Sequence, residues 1–303
     1  MNHNLKTLLI LNPVAGKGKG KKNFDEIYKL LKEKIKNIDV VISEYSGHIK
    51  NISKDAIKSG FKRILTIGGD GSPFEVLNAV KKEEELKELE LGIIPAGTGN
   101  SFLRDFIDID YRKIIERILS GRSRKIDVVE IEYGDGKNRK KTYYLNILGV
   151  GLIADILKLT NDKLKFLGEF GYSLSVLTHI FKGLKNNIKL EYDGNIMELK
   201  DSAMVISNSK FTGGKMKISP YSNPQDGKVD IVIFNEVSRM DIIKIFIGVF
   251  KGTHINHKKV KHIRASKIRL TSSPQLLLMA DGEVLDYTPL YLNVLPSALK
   301  VLI

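Results

Sequence analysis

Three times in the first hundred residues a short apolar run stops at a glycine-bearing loop. Leu8–Leu11 runs into Asn12-Pro13-Val14-Ala15-Gly16. Ile64–Ile67 runs into Gly68-Gly69-Asp70-Gly71-Ser72, and Leu91–Ile94 into Pro95-Ala96-Gly97-Thr98-Gly99-Asn100. Helix-like stretches lie between these runs. Phe24, Ile27, Leu31 and Ile35 recur at steps of three and four, Ile49–Ser59 is closed by Gly60, and Pro73 suits the first turn of a helix over Phe74–Val80. Asp39–Ile42 adds a further strand. Strands separated by helical crossovers imply a parallel sheet with helices on both faces. Such a sheet gathers its loops at the carboxyl edge, where open α/β folds place their ligands.

The loops favour anions. Glycine-rich turns expose backbone N–H groups, and a helix N-terminus adds a favourable dipole. The first loop is not a P-loop, because five residues after Gly16 comes Lys21 and no Ser or Thr follows it. Three glycines in four residues at Gly68–Gly71 do nothing for strand stability; they let a backbone be approached closely, with Asp70 at the strand's carboxyl end. Glu75 either meets a ligand or caps a helix. Asp281-Gly282-Glu283 reads as a hairpin turn or as a pair of carboxylates able to supply a general base.

After about residue 125 the pattern changes. Val128–Tyr133, Thr142–Leu148, Ile188–Tyr192, Met204–Asn208, Val229–Phe234, Ile268–Leu270 and Leu276–Ala280 are strand-like, with turn signals at Gly134-Asp135-Gly136, Asp193-Gly194 and Asp226-Gly227. This predicts an antiparallel sheet or sandwich interrupted by helices over Asp155–Leu184 and Ser238–Phe250, with the boundary near Asp127. The stripe Leu167, Phe170, Leu174, Leu177, Ile180 and Phe181 suits either a core or a membrane contact. Lys251–Arg264, with five Lys/Arg and His254, His257 and His262, suits a solvated loop or a basic membrane-facing edge, and is a poor metal site.

Charge narrows the partners. Lys plus Arg number 49 against 35 Asp plus Glu, a formal net charge of +14. Nucleic acid, an anionic membrane face and phosphate-bearing molecules all fit such a surplus. No stacking platform is evident and Trp is absent, so nucleic acid is not the expected partner. The longest uncharged runs, such as Thr142–Ala154, are too short to span a bilayer. After Lys6 the apolar stretch Thr7–Leu11 is too short for a signal peptide, so no leader is expected. With no Cys the chain has no disulfide framework and no need of an oxidising compartment, which fits the cytoplasm.

In this order the loops resemble the diacylglycerol kinase catalytic-domain family: bacterial lipid kinases, diacylglycerol kinases, and sphingosine and ceramide kinases. The match includes Asn12-Pro13…Gly16, Gly47-His48, Gly68–Ser72 with Glu75 and Asn78, and Pro95–Asn100 with Phe102 and Arg104. It continues through Asn146…Gly149…Gly151 with Ala154-Asp155, Leu167-Gly168 with Tyr172, Pro220…Asp226-Gly227, and Asp281–Glu283. The resemblance implies an α/β nucleotide domain over residues 1–126, designed like phosphofructokinases and NAD kinases, to which a final strand at about 288–303 returns. It implies a β-rich sandwich for the lipid substrate over residues 127–287.

It also implies ATP and Mg²⁺ as cofactors and a membrane lipid as substrate, in a cytoplasmic protein touching the anionic inner membrane face, with a homodimer left open. Asn12, Pro13, Gly16, Ser43, Gly68, Gly69, Asp70, Gly71, Ser72, Glu75, Thr98 and Asn100 would contact the nucleotide, and Asp70 would hold Mg²⁺ through water. Glu283 would be the general base with Asp281 beside it; Asp155 and Arg104 would serve the lipid substrate. Asn223, Asp226 and the Lys228 carbonyl fall where some members bind a structural Mg²⁺. Ser72 stands in place of the usual Thr, and Ser101 where many members have Asp. NAD kinases share the Gly-Gly-Asp-Gly loop but lack its pairing with Pro95–Asn100 and Asp281–Glu283. Gly151–Asp155 leans toward sphingoid bases, while the Lys- and Ile-rich composition leans toward a bacterial diacylglycerol kinase producing phosphatidic acid.

Overall fold

The computed structural model describes residues 5–97, 99–159 and 185–303. Thr98 and the stretch Leu164–Leu184, with Leu167-Gly168 and Tyr172, lie outside the described residues. The chain divides into two compact units, one up to Asp127 together with Ser297–Ile303, the other Val128–Pro296. The final strand was expected to join the first unit from about residue 288; it does so from Ser297.

The first unit contains β1 (Thr7–Leu11), β2 (Ile38–Ile42), β3 (Arg63–Gly68) and β4 (Glu90–Pro95). With the end of the last strand, β16 (Leu290–Leu302), they order as β2-β1-β3-β4-β16, parallel throughout. Every residue of β1 and β3 is buried, as expected of strands covered on both faces. Helix Phe24–Lys32 buries Ile27 and Leu31, and helix Tyr111–Ser120 buries Ile114, Ile115 and Ile118. Burial extends to one ion cluster: Arg63, 1% exposed, donates from Nε and Nη2 to Glu90 Oε2, and Lys300 Nζ donates to Glu90 Oε1. Two cations on one half-buried carboxylate offset the desolvation that burial imposes, and they hold its pKa below the usual carboxylate value.

The second unit contains β5 (Arg124–Tyr133, from Val128), β6 (Lys140–Tyr144), β7 (Ile147–Val150), β8 (Asn187–Tyr192), β9 (Asn195–Lys200), β10 (Ser202–Ser207), β11 (Val229–Asn235), β12 (Val260–Ala265), β13 (Lys267–Ser273), β14 (Leu277–Ala280) and β15 (Glu283–Tyr287). One sheet is antiparallel and ordered β12-β11-β10-β7-β14-β15. In the other, β13 pairs antiparallel with β8 and with Leu290–Asn293 of β16, β9 continues beyond β8, and β5 pairs with β6. Val205, Val232, Phe234, Ile245 and Val249 share one apolar cluster, which seats helix Arg239–Val249.

Two expectations are corrected. Thr142–Leu148 is two strands, β6 and β7, because the Leu145, Asn146 and Ile147 amides turn away to a carboxylate. Lys251–Arg264 is not one loop, since β12 begins at Val260 and pairs with β11 in full register. Among the described residues no helix is long and apolar enough to cross a membrane.

Candidate active site

The parallel strands of the first unit deliver their loops to one edge. The Asn12 amide donates to the Ile67 carbonyl at 2.9 Å, and the Ala96 and Gly97 amides donate to the Gly68 carbonyl at 2.8 and 3.1 Å. The loops after β1, β3 and β4 are therefore joined by backbone bonds. Asn12 forms an Asx turn, its Oδ1 accepting from the Val14 amide. Pro13 lies in that turn, and Ser43, buried beyond β2, donates its amide to the Leu11 carbonyl.

The glycines answer to this joining. At Gly16, with φ +58°, a Cβ would lie 1.8 Å from the Ala96 carbonyl oxygen; at Gly97 it would lie 2.4 Å from Gly69 Cα. The close approach read from the sequence as loop to ligand is, in the described structure, loop to loop. Replacing Gly97 with Ala is expected to cost about 1–3 kcal/mol through overpacking against backbone that cannot yield. A fall in denaturant midpoint at unchanged slope would show it.

Asp70 opens helix Gly71–Leu77, and its carboxylate accepts from the Ser101 amide at 3.0 Å and the Phe102 amide at 3.4 Å. The residue keeps some accessible surface, but crowding desolvates the carboxylate. That desolvation raises its pKa above 3.8, against the opposing pull of those two amides, the Ser101 hydroxyl and Arg104. Arg104 donates from Nε to the Gly99 carbonyl at 3.3 Å. Asn100, at φ +49°, donates from Nδ2 to the Gly97 carbonyl, while its Oδ1 is buried without a partner among the described residues. Ser72 Oγ is likewise buried and has no partner among the described residues. A carboxylate two residues before a hydroxyl with no partner among the described residues, in one glycine loop, is a donor set that suits a phosphate and a hard cation keeping most of its water.

Glu75 takes the capping role, for a helix other than its own. Its Oε1 accepts from the Gly47 amide and its Oε2 from the Lys50 amide, closing the N-terminus of helix His48–Lys58. Glu75→Ala is expected to lower stability by about 1 kcal/mol. If Glu75 also meets the nucleotide, the KM for ATP rises as well; a cap alone leaves it unchanged.

In the second unit, Asp281-Gly282 is a two-residue hairpin turn between β14 and β15, with φ +48° and +94°. The Asp281 carboxylate accepts three backbone N–H groups, from Leu145 at 2.9 Å, Asn146 at 3.0 Å and Ile147 at 2.9 Å, and its own amide donates to the Ile147 carbonyl. Asp281 thus ties the hairpin to the β6–β7 connection. Glu283 begins β15 and is exposed. Asp155 is exposed in the first turn of helix Leu152–Leu159. Asn223, Asp226 and Lys228 lie on the surface before β11. Asp226 Oδ1 accepts from the Lys228 amide, and Oδ2 from the guanidinium of Arg264. A guanidinium on Asp226 supplies positive charge where a cation was expected.

The sequence reading missed the amide trio on Asp281 and the Arg264–Asp226 pair. Nothing local signals the first, since its partners lie 134–136 residues away. For the second, Arg264 stands opposite Asp230 on paired strands, a signal available once β12 is recognised.

Residues 6–131 match the family described as diacylglycerol kinase catalytic domain, and residues 146–303 match the YegS C-terminal NAD kinase beta sandwich-like domain. A diacylglycerol kinase of Staphylococcus carnosus (strain TM300) is 26% identical over 277 residues, covering 91% of this chain and 87% of that protein. One of Bacillus subtilis (strain 168) is 25% identical over 278 residues, covering 91% and 88%. In fold, a solved diacylglycerol kinase of Bacillus anthracis str. Sterne matches with TM-score 0.74 at 22% identity, covering 98% of this chain and 96% of that one. Yeast NADH kinase complexed with NADH matches at 0.59 with 13% identity, covering 98% and 82%. The two matched domains and this architecture define a kinase of the lipid-kinase class. The chain belongs to the diacylglycerol kinase catalytic-domain family.

Proposed function

We propose that the protein transfers the γ-phosphoryl group of ATP to the hydroxyl of diacylglycerol, giving phosphatidic acid and ADP. The observation that carries this reading is the triple glycine-loop edge, with Asp70 of its second loop bonded to the amides that follow its third, in a chain of this family. Phosphoryl transfer asks for positioning and charge neutralisation more than covalent chemistry. Asn12, Pro13 and Gly16, the Gly68–Ser72 loop, Ser43, Thr98 and Asn100 hold the nucleotide. Asp70 would hold Mg²⁺, which when bound would supply positive charge against that of the phosphates.

Glu283 accepts the hydroxyl proton as the acceptor oxygen bonds to phosphorus and the bond to the ADP oxygen breaks. Asp281 positions that hairpin, while Asp155 and Arg104 serve the acceptor. The work is done in the cytoplasm at the inner membrane face. The Arg264 guanidinium on Asp226 argues against the second, structural Mg²⁺ at Asn223, Asp226 and Lys228.

Asp155, exposed on its helix within Gly151–Asp155, favours a sphingoid base as second reading. Labelled ATP offered with diacylglycerol, monoacylglycerol, sphingosine, ceramide and undecaprenol in mixed micelles decides between them. Label in phosphatidic acid supports the proposal. Label in sphingosine phosphate supports the second reading, and phosphorylation of NAD alone overturns both.

A further inference from the structure

Helix Arg239–Val249 is apolar on two opposite sides. Ile245 and Val249 are buried in the sandwich cluster, and Ile242, Ile243 and Phe246 pack against Ile156. On the far side Met240 is 61% exposed, Ile247 68% and Phe250, just past the helix end, 42%. At 100° per residue Ile247 lies roughly opposite Ile245 and Val249, and Met240, Ile243, Ile247 and Phe250 form one stripe. Ile243 and Phe250 edge the stripe, packing on Ile156 and Phe246, while Met240 and Ile247 stand mainly in solvent.

The charges beside the stripe have one sign. Lys244 and Lys251 flank Ile247 at three and four residues, both exposed, and neither is ion-paired among the described residues. Asp241 is the only carboxylate between Arg239 and Lys251. It is spent at the N-terminus, where it accepts from the Ser238 amide and hydroxyl and faces Lys259 and His257. Those bonds hold its pKa at about 2, so it stays ionised and tied to the cap.

We infer that this helix face docks on an anionic phospholipid bilayer, with Met240, Ile247 and Phe250 entering the headgroup–acyl boundary and Lys244 and Lys251 meeting lipid phosphates. A helix that seats one side in protein and offers the other as an apolar stripe flanked by lysines has the make-up of an interfacial helix, with the lysine stems lying along the stripe. The inference rests on the lipid-kinase reading for its purpose, but its test does not.

The intact protein is sedimented with vesicles of phosphatidylcholine alone or with a third phosphatidylglycerol, free of diacylglycerol and nucleotide. Binding should require the anionic lipid. Ile247→Glu and, separately, the pair Lys244→Glu with Lys251→Glu should each weaken it by roughly tenfold or more. Both variants should keep the wild-type melting temperature. Equal binding to both vesicle types, or variants that bind as wild type does, would overturn the inference. So would a light-scattering mass showing that Ile247→Glu splits a dimer while vesicle binding persists, since the face would then join two copies. Vesicle binding without transfer to any lipid would instead sink the proposed reaction and leave the docking surface standing.

Discussion

Glu283→Gln is expected to lower kcat by roughly 10²–10⁴-fold, the range a positioned base contributes. The side chain keeps its size but loses its negative charge and its capacity to take a proton. Glu283 begins an exposed hairpin strand whose pairing with Ala280 is made by backbone, so that pairing survives the change and the loss in kcat should far exceed any fall in melting temperature. The KM for ATP should change little, because the residue is assigned to the acceptor's proton. Asp281→Asn provides the contrast. It puts an amide N–H₂ where the carboxylate accepts three backbone N–H groups, so at least one of those amides loses its partner. That variant should fall in stability and activity together. Wild-type turnover in Glu283→Gln would remove the base assignment while leaving the loops of the first unit unaffected.

The two units differ in how much their sequence discloses. In the first, local rules suffice. Fully apolar runs end in glycine loops, and β1 to β4 lie within a residue or so of the segments expected from those runs. In the second, register and distant partners decide. Leu145 to Ile147 read as mid-strand by composition, yet a carboxylate some 135 residues later draws their amides out of the ladder. Val260–Ala265 read as part of a charged loop because Lys261, His262 and Arg264 hide its alternation, and only pairing with β11 makes it a strand. Asn195–Lys200 and Glu283–Tyr287 went unseen for a related reason, being half-polar partners of better-defined strands.

The candidate site shows the same division. Which loops gather, and at which edge, follows from the alternation of strands and helices. What each side chain does there depends on neighbours that alternation cannot specify. Glycine density reads as room for a ligand, but a Cβ at Gly16 or Gly97 would meet backbone of a neighbouring loop. The loops must interlock before they can present anything. Glu75 likewise reads as either a ligand contact or a cap, and only the Gly47 and Lys50 amides that donate to it show which helix it caps.

Asp70→Asn should be the most damaging single change in the first unit, lowering kcat by about 10³-fold, a loss of the size seen when a fixed electrostatic partner of the reacting group is removed. Two effects combine. The charge assigned to the hydrated cation is lost, and the amide N–H₂ turns a donor toward the Ser101 or Phe102 amide, which now bond to oxygen. A structural effect alone would lower melting temperature and kcat together and leave the magnesium dependence of the residual rate unchanged. Loss of a metal-holding carboxylate instead raises the Mg²⁺ concentration needed for half-maximal rate, whatever happens to stability. Asp70→Glu sharpens the distinction, because it restores charge at a displaced position and should recover part of the magnesium response but little of the fold's tight packing. Unchanged magnesium dependence in both variants would leave Asp70 as a loop anchor and move the cation to another group.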